Sequence, residues 1–235
     1  MRKTLQDRCR LVDLDTALAQ IIARRPALAD IATAFTLVQK GRLAARQALP
    51  DAPLAPFNPA LAAEGRPQLD PLLAALAKPT GALVDRFLAA SGHVLPMLAQ
   101  AFPKLAEPLA HIAVSLSSPD GPELAASLLA ALAPDAPADS LATLVQTRSL
   151  DPDALQVAAR EILLAVLSHA ALLLESALDQ GAWMHGWCPI CGGGPDVGFL
   201  KEAPEDSEFL IAKAGQLWLH CSQCAALWRH PRMRC

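Results

Sequence analysis

Apolar residues recur at helical spacing through most of the chain. Leu11, Leu14, Leu18 and Ile21 share one face, and Arg24 and Arg25 end that run where the helix dipole favours cations. Pro26 suits the first turn of a second helix. There Leu28, Ile31, Phe35 and Val38 form the apolar stripe, and Gly41 is read as its stop. The stretch LPDAPLAPFNPALAAEGRPQLDP (49–71) carries too many prolines for a helix and reads as an extended loop or linker. Short helices follow to about Leu116. The turn clusters SSPDGPE and PDAPADS bracket another.

The clearest helix opens at Asp151, an N-cap, with Pro152 in its first turn, and runs to about Leu178. Gln156, Arg160, Glu161, Ser168, Glu175 and Asp179 keep to one narrow polar face. A helix apolar on nearly every other side belongs at the centre of a bundle. Its most apolar run, Ile162 to Leu174, is shorter than a bilayer span, contains Ser168 and His169, and is closed by Glu175. Gly181 and Gly186 then break the pattern, and Trp183 and Trp187 mark a change of composition. A boundary near 182 divides a helical domain, 1–182, from a small module, 183–235. In the module VGFL and QLWLHC alternate as strands, with the polar loop KEAPEDSE between them. The expected fold class is mainly α (α+β).

Composition narrows the function. Of 235 residues, 53% are hydrophobic and 18% charged, which excludes a disordered chain. The net charge of −3 gives no global basic field and argues against nucleic acid as the partner. The basic start, MRKTLQDRCRLVDLD, lacks the apolar core of a secretory signal. The expectation is a cytoplasmic protein with no membrane span. Thiols stay reduced in that compartment, so paired cysteines point to metal or redox chemistry rather than disulfides.

Four of the six cysteines form two C-x-x-C pairs, Cys188 with Cys191 and Cys221 with Cys224. Such a spacing makes a tight turn that aims both sulfurs at one ion, and Gly192 suits the backbone that turn requires. Two turns supply a closed tetrahedral site for one zinc or iron ion. Residues 192–220 separate the pairs, a spacing compatible with zinc-ribbon or rubredoxin-like layouts. A module this small buries little apolar surface, and structural zinc contributes about 10–16 kcal/mol in zinc-finger peptides. The metal would then be its core. Cys235 is either a spare thiol or the first half of a third pair, an additional metal ligand. Cys9 reads as a small apolar residue. His185, His220 and His230 lie near the pairs as supporting or surface groups, and His93, His111 and His169 as structural ones.

Other chemistry is missing from the pattern. The GGGP after Cys191 belongs to the turn and is not a phosphate loop. Neither H-E-x-x-H nor G-x-S-x-G occurs, and Asp13, Asp15, Glu205 and Asp206 fit helix starts and solvated loops. The chain therefore reads as a non-enzyme. Arg229, Arg232 and Arg234 give a small basic end beside Trp228, ordinarily solvated surface. The open readings are a maturation factor, a zinc-ribbon nucleic-acid binder, a rubredoxin-like electron carrier and a helical domain with a structural zinc staple.

The cysteine region resembles the FdhE family of formate dehydrogenase accessory (formation) proteins. WCPICGGGP is similar to that family's C-P-x-C-G element, and LWLHCSQCAALWRHPRMRC to its aromatic-L-H-C-x-x-C-x-x-x-W element. The likeness includes Leu219, His220, Cys221, Cys224, Trp228, Arg232 and Cys235. RRPALADIATAFTLVQKGRLAARQAL and DALQVAAREIL resemble its helical part more weakly. The chain departs from the pattern at Leu217 and Leu227. It also stops at Cys235, short of further cysteine pairs, so a form shortened at the C-terminus is expected. The resemblance implies a cytoplasmic, non-enzymatic protein that binds iron or zinc and contacts the catalytic subunit of formate dehydrogenase during its maturation.

Overall fold

The computed structural model describes residues 14–52, 76, 78–133, 136–174, 183, 185–201 and 215–231. Seven α-helices and a three-stranded sheet lie among them. The helices are α1 (Leu14–Arg24), α2 (Ala29–Ala48), α3 (Gly81–Ala101), α4 (Ala106–Ser117), α5 (Gly121–Ala131), α6 (Ser140–Arg148) and α7 (Pro152–Leu174). The strands are β1 (Pro195–Lys201), β2 (Gln216–Cys221) and β3 (Leu227–His230). The chain divides into two compact units, residues 1–51 with 76–169, and 52–75 with 170–235. The expected boundary near 182 falls among residues outside the described set, as do most of the proline-rich stretch, Cys9 and Cys235.

Helix α7 begins as its sequence predicts. The Asp151 carboxylate accepts the Ala154 N–H at 2.8 Å, satisfying one of the donors a helix start leaves free. Leu155, Ile162, Val166 and Leu167 are buried. By length and composition α7 would reach across a membrane, yet most of its apolar stretch is covered by protein, as in a core helix. Glu161, on the expected polar face, forms an ion pair with Arg42 of α2.

Two expectations for α2 are corrected. Gly41 does not stop the helix, which continues to Ala48. It is buried, and a Cβ there would lie 2.9 Å from the Met97 Cβ and 3.3 Å from the His93 carbonyl. Glycine serves here for the close approach of α3 rather than for a left-handed turn. Of the apolar stripe only Val38 is buried, while Leu28, Ile31 and Phe35 are exposed. Helical spacing defines a face but not whether a neighbour covers it.

In the sheet β2 lies between β1 and β3, and both pairings are antiparallel. Val197 faces His220 and Lys201 faces Gln216 across the first pairing, and the register shifts between Pro195 and Val197. Leu219 faces Trp228 across the second. β1 and β2 arise where alternation placed them, whereas β3 was not anticipated. Its short L-W-R-H run carries one fully buried residue, Trp228.

Candidate metal site

The loop before β1 and the β2–β3 hairpin each fold into a tight turn, and the two turns repeat one backbone design. In the first, the Cys188 N–H donates to the Gly193 carbonyl at 2.8 Å and the Gly192 N–H to the Cys188 carbonyl at 3.0 Å. In the second, the Cys221 N–H donates to the Ala226 carbonyl at 2.9 Å and the Ala225 N–H to the Cys221 carbonyl at 3.1 Å. The fifth residue of each turn is left-handed, Gly192 at φ 82° and Ala225 at φ 57°. The glycine was legible in the sequence. The alanine was visible only as the residue at the same offset from its first cysteine.

These turns bring the four cysteines together. Their sulfurs lie within 4.8 Å of one another, and all four side chains are buried. The Cys188 and Cys224 sulfurs are 3.5 Å apart and those of Cys191 and Cys221 3.4 Å, too far for a disulfide. A tetrahedral ion with metal–sulfur bonds of about 2.3 Å holds its sulfurs about 3.8 Å apart, within this range. Backbone N–H groups point at three sulfurs: Ile190 at Cys188 (3.4 Å), Gly193 at Cys191 (3.3 Å) and Gln223 at Cys221 (3.3 Å). Such donors favour the ionised form.

Left to themselves, four buried thiols share protons unevenly. Hydrogen bonding, chiefly from Cys191, holds the Cys188 thiol below its ordinary range, and Cys221 is held down chiefly by Cys188. Cys191 and Cys224 are pushed well up, in each case chiefly by the hydrogen bond with Cys188. Four thiolates cannot coexist here without a cation. Donor type, spacing and burial fit one tetrahedral, thiophilic ion, and fit zinc and iron equally.

The surroundings lock the two turns together. Ser222 donates to the Gly194 carbonyl from both its backbone N–H (3.1 Å) and its hydroxyl (3.0 Å). A Cβ on Gly193 would meet Gln223 Cγ at 2.8 Å, so a larger residue there would have to displace the Gln223 side chain. The indole of Trp228 donates to the His185 carbonyl at 3.2 Å and ties β3 to the chain ahead of Cys188. The His185 ring stacks on Trp187, their centroids 4.1 Å apart. His220 pairs its Nδ1 with Asp196 at 2.7 Å. No histidine joins the sulfur cluster among the described residues. Cys235, the fifth expected ligand, lies outside them, as do Arg232 and Arg234.

Compared with family models, curated proteins and solved structures, the chain matches none.

Proposed function

We propose that this chain is a non-enzymatic accessory protein that binds one zinc or iron ion in a rubredoxin-like or zinc-ribbon module and assists maturation of formate dehydrogenase in the cytoplasm. One observation carries the reading. A buried four-sulfur site is built from the C-P-I-C-G-G-G-P and W-L-H-C-S-Q-C elements in which the resemblance to FdhE proteins lies. The ion would hold the two turns together and shape a docking surface, while the helical part offers faces for the enzyme's catalytic subunit.

Deletion of the gene, followed by a formate-dependent dye-reduction assay in anaerobically grown cells, tests the role. The expected result is lost activity at normal levels of enzyme subunits, restored by the intact gene and not by a Cys188→Ala/Cys191→Ala variant. Unchanged activity in the deletion strain would overturn the role. Full rescue by the variant would remove the metal site from it.

A second reading, binding of single-stranded nucleic acid, is favoured by one feature. Phe199 and Trp218 face each other across β1 and β2, with the Lys201 ammonium 4.0 Å from the Trp218 ring centroid. Aromatic and basic groups together on a sheet make a stacking platform. A steeply salt-dependent affinity for an oligonucleotide, lost in Trp218→Ala, is the mark of that reading.

A further inference from the structure

Among the described residues, part of the apolar surface of α1 and α2 is uncovered. Ile21 is 45% exposed, Leu28 44%, Ile31 70% and Phe35 60%. Leu28, Ile31 and Phe35 follow the i, i+3, i+7 spacing of a single stripe, and one turn later that stripe goes under cover at Val38.

The reason lies in the register of α2 against α3. Gly41 lies against Met97, and the Pro50 carbonyl receives Arg86 at 3.4 Å, so the two helices run antiparallel. Phe35 is therefore level with the end of α3 at Ala101. The first half of α2 extends past its neighbour. Helix α1, which precedes it, contributes no buried residue of its own. The uncovered stripe continues a seam that a helix already fills farther along.

Charge narrows the choice of occupant. Arg24 and Arg25 sit between Ile21 and Leu28 in the chain, are exposed, and have no ion-pair partner among the described residues. Asp30 is also exposed beside Ile31, so residues 21–35 carry two arginines against one aspartate, and a second copy would bring the same net positive charge to the interface. An amphipathic helix with acidic residues beside its apolar stripe matches both features.

We infer that the α1–α2 face is the docking site for an acidic amphipathic helix of the protein this chain serves. The inference rests on the functional reading above, with the formate dehydrogenase catalytic subunit as the probe. The full chain and the catalytic subunit are co-expressed, and the subunit recovered with the tagged chain is measured. Ile31→Asp/Phe35→Asp and Arg24→Glu/Arg25→Glu should each lower recovery at least about tenfold. Val114→Asp, at an exposed position on α4, serves as control. Helical circular dichroism and bound metal should match the unaltered protein in every variant. Undiminished recovery by both double variants would overturn the docking site alone. Failure of the unaltered chain to recover the subunit would instead overturn the functional reading and this inference with it. A concentration-dependent dimer that Ile31→Asp/Phe35→Asp dissolves would assign the face to a second copy and refute the partner helix.

Discussion

Gly192 and Ala225 occupy the same step of the two cysteine turns and share a left-handed backbone. Each donates its N–H to the carbonyl of the first cysteine in its pair. A side chain in this conformation costs about 1–2 kcal/mol, and glycine avoids that cost. Ala225→Gly should stabilise the module by up to about 1 kcal/mol after the entropy of glycine is counted. Gly192→Ala should weaken it by about the same amount or more. The rate of metal loss to a chelator reads both, and opposite signs are expected.

Removing the ion should act on the small unit first. Chelation, or Cys221→Ser, is expected to abolish stoichiometric binding and to unlock the Trp228 indole from the His185 carbonyl. Tryptophan fluorescence should then shift to the red while helical circular dichroism is largely kept. Coincident loss of both signals would show that the helical unit depends on the metal.

The approach of α2 to α3 makes Gly41 intolerant of bulk. Gly41→Val drives its Cβ to 2.9 Å from the Met97 Cβ, and such overpacking costs about 1–3 kcal/mol. Met97→Ala should restore only part of the loss, because the clashing Cβ remains. Urea midpoints of the single and double variants measure both effects.

His169 gives the helical unit a pH dependence. Its ring is buried, and burial lowers its pKa from the usual 6.5. The hydrogen bond to Asp51 opposes that shift, while the nearby charges of Arg86 and Arg46 add to it. The unfolded chain therefore takes up this proton at a higher pH than the folded one. The contribution is fully present above about pH 6.5 and is lost as the pH falls through the lowered folded value. Urea midpoints at pH 7.5 and 5.0 should differ less in His169→Gln than in the unaltered protein. An equal difference in both would remove His169 as the source.

Local interactions explain what was readable from the chain alone. The start of α7 is set by Asp151 and Pro152, and the turn at Cys188 by two sulfurs and a glycine within a few residues. Alternation marked β1 and β2 for the same reason, since neighbouring side chains decide which face of a strand is apolar. The metal-binding pattern was legible because four sulfurs at fixed offsets leave few other arrangements.

Contacts between distant segments decided the rest. Gly41 reads as a helix stop in sequence and becomes a contact point only when Met97 arrives from α3. Ile31 and Phe35 read as ordinary stripe residues, and only the end of α3 leaves them bare. Strand β3 gains its place from pairing with β2, and the left-handed Ala225 from the hairpin that makes the pairing. The sequence alone determined the two C-x-x-C turns and where α7 begins, because those depend on near neighbours. Only the tertiary structure decided which apolar face is covered and which glycine is crowded, because burial and close approach depend on segments far apart in the chain.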